Sequence, residues 1–314
     1  MKLYKKLRNS DIGTLVRKEY WRYRGKREYE KLGDYGLICK NYLKLGRELN
    51  LKNPQRYTEK LQWLKLFYRD ERMPICSDKY LVRRYLIDNE FGYLLNDLIA
   101  SYTNVDDLNV DSLPKSFVIK ASHGSAWNLI VRDKNEINWK IWKKIMRSWM
   151  KQDLSWFGAE WNYAGLTPRI IVEKYLEDDS GELRDYKIIC TNGVPRFMQI
   201  DENRATDHKR VYVDENGNSI PMDDNQHSNH PKIVFGENQK KMFELAAALS
   251  KDFPNVRVDF YECNDRIIFG EMTFFGGSGF YSFTPDEWDY HWGKLLELPE
   301  PNYNLELYRI LANN

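Results

Sequence analysis

Charge of one sign is what this sequence lacks most clearly. Its 314 residues carry 48 Lys and Arg against 46 Asp and Glu, a formal net of +2. That balance argues against wholesale nucleic-acid binding, which needs a basic footprint. Cysteine is sparse too. Cys39, Cys76, Cys190 and Cys263 lie far apart with no CxxC pair, the usage expected of reduced, mostly buried thiols in a cytosolic protein. No apolar run approaches 18 residues and no signal peptide is recognisable, so neither a membrane span nor export by the usual route is expected. The GxxxxGK[ST] order of a P-loop is absent, as are internal repeats and low-complexity tracts. Aromatics, by contrast, are plentiful: 10 Trp and 21 Tyr, a usage shared by sugar-handling proteins and large cores. The length suffices for one large domain or two modest ones.

Residues 1–34 hold eleven Lys and Arg against five Asp and Glu, a local net of +6. Leu3, Leu7, Ile12, Leu15 and Val16 form a rough helical stripe among the basic residues. Such a segment either lies on an anionic membrane surface or packs on the domain as a solvated helix. Gly33 and Gly36 are expected to end it. Asn53-Pro54 signals a turn, after which Thr58-Glu59-Lys60 opens a helix over 58–68. Ser77 is expected to cap a helix over 78–88. That would leave Lys79 in the first turn, the unfavourable end for a cation.

A different pattern begins at Leu113-Pro114. Phe117-Val118-Ile119-Lys120 and Leu129-Ile130-Val131 read as two strands around the small-residue loop Ser122-His123-Gly124-Ser125-Ala126. Small residues let backbone N–H groups approach phosphate, and Lys120 at the base adds charge. A Trp-rich helix follows over 138–150. Ile170-Ile171-Val172 is a buried strand running into Glu173-Lys174-Tyr175-Leu176. Asp185 and Lys187 leave one face of the next strand, while Ile188 and Cys190 leave the other. Asn192-Gly193 is a two-residue hairpin turn. A small hairpin is expected around Asn216-Gly217, with helices over 237–252 and 285–296. His227 and His230 are three apart in a polar stretch that does not read as a metal site.

Val256 to Gly279 carries the chemistry. It reads as two strands joined at Asn264-Asp265-Arg266, then a glycine-rich loop. Asp259 and Glu271 sit among apolar and aromatic neighbours, where an uncompensated carboxylate costs free energy. A three-residue turn or a bulge would set them opposite one another, with Cβ atoms about 5 Å apart. Two carboxylates facing one way make a divalent-metal site. A plain two-residue turn would send Glu271 to the other face. Arg257 shares the face of Asp259 and could meet an anion held by the metal. The alternative is an ordinary hairpin with acids facing solvent.

Seven pieces in order, NPQRYTEKLQWLK, SDKYLVRRYL, LPKSFVIKASHGSAWN, PRIIVEKYL, DYKIICTNG, VRVDFYE and FGEMTFFGGSGF, span about residues 53–280. Together they resemble the TupA-like ATP-grasp family of polysaccharide gene clusters, within the ATP-grasp carboxylate–amine ligases. The resemblance implies an α+β ATP-grasp fold in two lobes, about 76–172 and 173–314, after a helical N-terminal region over 1–75. It places Lys79 and Lys120 on ATP phosphates and residues 122–128 in the mobile loop over them. It makes Glu173, Lys174, Tyr175 and Leu176 the adenine-holding hinge, and puts Asp185 and Lys187 in the same cleft. Asp259 and Glu271 become Mg2+ ligands, Arg257 lies near the transferred phosphate or acyl group, and one of Asp178, Asp179 and Glu182 binds ribose. Thr273 stands where an amide is usual and is left as a third oxygen for the metal. Ala126 stands where the loop usually has glycine. The usual N-terminal Rossmann-like domain is not readable in residues 1–75.

The implied activity is an ATP-dependent ligase working through an acyl phosphate. Its partners would be a carboxylate, such as a uronic acid on a glycan, nucleotide-sugar or lipid-linked sugar, and an amine such as an amino acid. The implied place is the cytoplasm, in capsule or other cell-envelope polysaccharide synthesis. The alternatives are a sugar phosphotransferase using the same ATP site, and a non-catalytic glycan-binding protein associated with a glycosyltransferase. On the ligase reading, Asp259→Asn and Glu271→Gln each abolish ATP turnover and leave folding nearly unchanged.

Overall fold

The computed structural model describes residues 11–177, 183–202, 209–223 and 235–313. The chain divides into two compact units. One contains the residues up to Gly33 and Pro74–Tyr175; the other contains Asp34–Met73 and the residues from Leu176 onward. The region 1–75 is thus divided between the two units. The helical run α1 (Asp11–Tyr42) is interrupted at Gly33, which adopts φ 62°, a conformation glycine reaches at little cost. Gly36 does not interrupt it.

The first unit is built on a four-stranded antiparallel sheet in the order β1-β4-β2-β3. Its strands are β1 (Leu98–Tyr102), β2 (Phe117–Ala121), β3 (Asn128–Val131) and β4 (Ile170–Lys174). The sequence reading found β2, β3 and β4 but not β1. Alternation along β2 buries Phe117, Ile119 and Ala121 and leaves Val118 and Lys120 half-buried. Helix α5 (Trp139–Trp149) brings Ile145, Met146 and Trp149 to the same core as Phe117 and Val131, the one-sided burial expected of an amphipathic helix. Leu15 of the basic helix also packs on this core, while Ile12 and Val16 stay exposed.

Two helices precede β1, α3 (Arg72–Ser77) and α4 (Leu81–Asp88), and the short α6 (Ser155–Gly158) lies between α5 and β4. Ser77 does not cap α4. Asp78 does so in its place, its Oδ1 accepting from the N–H groups of Tyr80 and Leu81, because the carboxylate is one residue nearer the open amides. Ser77 Oγ instead accepts from Asn162 Nδ2. Lys79 therefore sits in the turn before α4, not in its first turn.

The second unit holds a five-stranded antiparallel sheet, β7-β6-β5-β8-β9. Its strands are β5 (Asp185–Thr191), β6 (Val194–Glu202), β7 (Lys209–Val213), β8 (Asn255–Cys263) and β9 (Arg266–Thr273). One face is apolar: Ile188, Cys190, Val256 and Val258 are buried, and α7 (Glu237–Ser250) covers it with Met242, Ala246 and Leu249. The other face carries the alternating polar residues described below.

Helix α2 (Tyr57–Phe67) closes this unit against α8 (Glu287–Lys294). The fully buried Asp289 accepts from Thr58 N at 2.9 Å, Thr58 Oγ1 at 2.7 Å and Arg47 Nη2 at 2.6 Å. Such a carboxylate is tolerated only because each oxygen is satisfied. A further helix, α9 (Leu305–Asn313), ends the chain beyond the expected last helix. Among the described residues no helix is long and apolar enough to cross a membrane.

Candidate functional site

The predicted residues fall into two clusters, one in each unit. In the first unit the turn before α4 and the loop between β2 and β3 are tied together. Lys79 donates through its backbone N–H to Ser122 O at 3.0 Å and through Nζ to Gly124 O at 2.7 Å. Ser122 Oγ donates to Asp78 Oδ2 at 2.7 Å. His123 is turned into the core, with Nε2 3.0 Å from Trp149 O. Burial holds its pKa below the usual histidine range. The side chains of Ser122 and His123 thus anchor the loop, while Ser125 and Ala126 form its exposed tip.

Ala126 adopts φ 57°, where a Cβ costs roughly 1–2 kcal/mol. Ala126→Gly is therefore expected to raise stability by up to about 1 kcal/mol once the extra freedom of the unfolded glycine is counted. A urea titration measures it; a lower midpoint would contradict it.

Lys120 Nζ lies 2.7 Å from Glu173 Oε2, and Arg83 Nη1 lies 3.3 Å from Glu173 Oε1. The expected phosphate lysine and hinge acid are partners here, held on neighbouring strands by the β2–β4 register. Lys174 points outward, 64% exposed and 3.5 Å from Asp97. Its main chain is engaged, N–H to Asp97 O and O from Asn96 Nδ2. Tyr175 and Leu176 are half-buried; Tyr175 belongs to the first unit and Leu176 to the second. The ribose candidates Asp178, Asp179 and Glu182 lie outside the described residues, as do His227 and His230.

The second cluster is a buried charged row on the polar face of the five-stranded sheet. Register places Gln199, Lys187, Asp259 and Glu271 side by side across β6, β5, β8 and β9. The β8–β9 turn has only two residues, Asn264 and Asp265, with φ 49° and 61°, the mirror-image turn that matches strand twist. A bulge then restores the pairing. Asp259 faces Glu271 while the next residue, Phe260, faces Phe269, so Gly270 is the extra residue. A Cβ on Gly270 would stand 3.0 Å from Asp259 O. Gly270→Ala is thus expected to cost about 1–3 kcal/mol by forcing the bulge apart and to weaken nucleotide binding with it. A melting temperature and ATP affinity equal to wild type would contradict this.

Arg257 fills the space beside the two acids. It donates through Nε and Nη2 to Asp259 Oδ1 and Oδ2, both at 2.6 Å. Nη2 also reaches Glu271 Oε1 and Thr273 Oγ1 at 3.2 Å, and Thr273 Oγ1 lies 3.1 Å from Glu271 Oε1. Burial pushes the Asp259 carboxyl up to about 7, against the pull of Arg257 and Lys187. Burial also opposes the charge of Arg257, yet Asp259 beside it keeps its pKa well above the ordinary value. Asp259, Glu271 and Thr273 form an all-oxygen donor set, which fits a hard divalent cation, and Arg257 competes for the same oxygens. Among the described residues no group of three or more His, Cys, Asp or Glu could hold an ion by itself. An ion here would need water or phosphate ligands as well, which Mg2+ accepts readily.

Lys187 is 7% exposed and pairs with both Asp185 and Asp201, the latter at 2.9 Å. Asp201 in turn takes Arg210 Nε at 2.7 Å and Gln199 Nε2 at 2.8 Å. Sequence reasoning missed Gln199, Asp201 and Arg210. The signal was present as polar residues at every second position in Gln199-Ile200-Asp201 and Arg210-Val211-Tyr212.

The family model of the TupA-like ATP-grasp proteins matches residues 59–297. The chain belongs to the TupA-like ATP-grasp family, within the ATP-grasp superfamily. Solved structures similar to it include three ligases. The D-alanine–D-alanine ligase of Bacillus anthracis, complexed with ATP, is 17% identical over 64% of this chain and 55% of its own, with a TM-score of 0.38. That of Helicobacter pylori is 14% identical over 72% and 64%, with a TM-score of 0.40. The L-amino acid ligase of Bacillus licheniformis is 15% identical over 65% and 42%, with a TM-score of 0.39. The chain thus spans less than two thirds of the length of each. No curated protein matches it.

Proposed function

We propose that this protein joins an amine to a sugar carboxylate at the expense of ATP, in the synthesis of capsule or another cell-envelope polysaccharide. A substrate carboxylate takes the γ-phosphoryl group of ATP, giving an acyl phosphate and ADP. The amine then displaces phosphate and leaves an amide. The observation that carries this reading is the pairing of Asp259 with Glu271 across β8 and β9, with Arg257 donating to both.

In phosphoryl transfer the protein mainly positions groups and neutralises charge. Lys79 and Lys120 supply positive charge to the phosphates. The exposed tip at Ser125 and Ala126 offers backbone N–H groups. Glu173, Lys174, Tyr175 and Leu176 hold adenine. Arg257, poised on the acids, supports the negative charge that develops on the phosphoryl or acyl group. Lys187 and Asp185 keep the neighbouring row fixed. Mg2+ held by Asp259 and Glu271, with Thr273 as a further oxygen, would neutralise phosphate charge when bound. No protein nucleophile is required.

The uronic-acid carboxylate and amino-acid amine rest on the resemblance to the family, as does a cytoplasmic location. Contact of residues 1–34 with an anionic membrane rests on their local charge. The test is to incubate the protein with MgATP and a panel of uronic acids and amino acids, following ADP release and identifying products by mass spectrometry. An amide with free phosphate is expected. A phosphosugar would establish the phosphotransferase instead.

A further inference from the structure

The helix rich in Lys and Arg does more than cover the first unit. Gly25 brings it so close to Phe157 that a Cβ there would meet the ring at 2.6 Å. Beside this contact lies a cavity of about 360 Å³ lined by Arg17, Lys18, Trp21, Trp127, Gln152 and Phe157. Its composition is uneven. Arg17, Lys18 and Trp21 come from the basic helix, Trp127 and Phe157 come from later in the chain, and no acid lines it. Among the described residues no hydrogen bond or ion pair is made by the Lys18 side chain. Burial, aided by the charge of Arg17, lowers its pKa from the ordinary lysine value. A half-buried cation held next to a second cation wants an anion.

The aromatic wall narrows what that anion carries. Trp127 is 5% exposed, meets the His123 ring edge-on at 5.3 Å, and packs so tightly on Gly124 that a Cβ there would come within 2.4 Å of its ring. It is a rigid platform, while Trp21 is 47% exposed, with the Arg24 guanidinium over its ring at 5.4 Å. Indole faces take up the C–H faces of a ring and leave its polar edge to hydrogen-bonding groups. Gln152, which is buried, supplies such a group.

We propose that this cavity binds an anionic sugar, its phosphate or carboxylate on Arg17 and Lys18 and its ring against Trp21 and Trp127. The proposal rests on the cavity and not on the ligase reading. Because Trp127 also supports the loop that carries Gly124, an occupied cavity would hold that loop in place.

The test is calorimetric titration of the full chain, without nucleotide, using glucuronic acid 1-phosphate as the probe. Wild type is expected to bind it at least tenfold more tightly than glucose, inorganic phosphate or AMP. Lys18→Gln and the double variant Arg17→Gln, Lys18→Gln are expected to weaken binding at least fivefold with unchanged ATP affinity. Should the double variant fail to fold, the single variant carries the test. No binding by wild type, equal binding of glucose or inorganic phosphate, tighter binding of AMP, or unchanged affinity in Lys18→Gln would each overturn the proposal. So would binding of anionic vesicles that glucuronic acid 1-phosphate fails to displace. None of these results bears on ATP-dependent ligation, which is read separately from ADP release.

Discussion

Glu271→Gln is expected to lower ATP turnover on the order of 10³-fold while the protein unfolds near the wild-type urea midpoint. The side chain of Glu271 is 27% exposed, and its contacts with Arg257 and Thr273 are 3.2 and 3.1 Å long. A glutamine oxygen can accept both, so the change removes charge with little loss of packing. Asp259→Asn differs, and the expectation that it leaves folding nearly unchanged needs correction. Asp259 is 4% exposed and holds Arg257 by two bonds of 2.6 Å. Losing that charge leaves a buried guanidinium short of its main partner, a change that costs about 3 kcal/mol or more. Glu271 is therefore the position where catalysis separates from stability. Steady-state ADP release and urea unfolding on the same preparations measure both. Wild-type turnover by Glu271→Gln would remove the metal-site reading.

Asp201→Asn should have the largest effect on stability, a loss of about 3–5 kcal/mol. That is a large part of what a typical domain has. The Asp201 side chain is fully buried and is shared by Lys187 and Arg210. Without its charge, Lys187 is left with its salt bridge to Asp185, and the guanidinium of Arg210 loses its ionic partner on β6. The same network predicts a pH dependence. Burial alone would raise the Asp201 carboxyl, but Lys187 and Arg210 together hold it well below the ordinary range. A carboxyl depressed on folding contributes fully above its unfolded pKa of about 4, and that contribution is lost as pH falls below it. The wild-type urea midpoint should drop between about pH 5 and pH 3, and the Asn variant should vary less over that interval. Equal slopes for the two proteins would contradict the role given to Asp201.

The sequence carried the order of the motifs, and the family follows from that order. It also carried the local strands, because β2, β3 and β4 are short apolar runs bounded by polar or turn residues, and the charged hairpin alternates with period two. The site itself was legible as a demand: Asp259 and Glu271 had to share a face. How that demand is met was not legible. Asn264 and Asp265 make a two-residue turn, which alone would send Glu271 to the opposite face, and the bulge at Gly270 reverses the error. A bulge glycine in a strand resembles any other glycine until its neighbour's carbonyl is seen 3.0 Å from its missing Cβ.

Non-local partners were hidden for a related reason. Nothing near Thr58 or Arg47 in the chain announces Asp289, more than 200 residues away. Nothing in the sequence around Asp201 announces that Arg210 and Lys187 stand on either side of it. Ser77 had the right chemistry for a cap, but Asp78 stands one residue closer to the free amides of α4.

The most direct measurement uses a substrate carboxylate labelled with ¹⁸O, taken from the pairs that release ADP. An acyl phosphate forms through a carboxylate oxygen, and displacement by the amine leaves that oxygen on phosphorus. The account predicts one ¹⁸O in each inorganic phosphate and an amide depleted of one label. Unlabelled phosphate, or a phosphorylated sugar that retains both labelled oxygens, would contradict it.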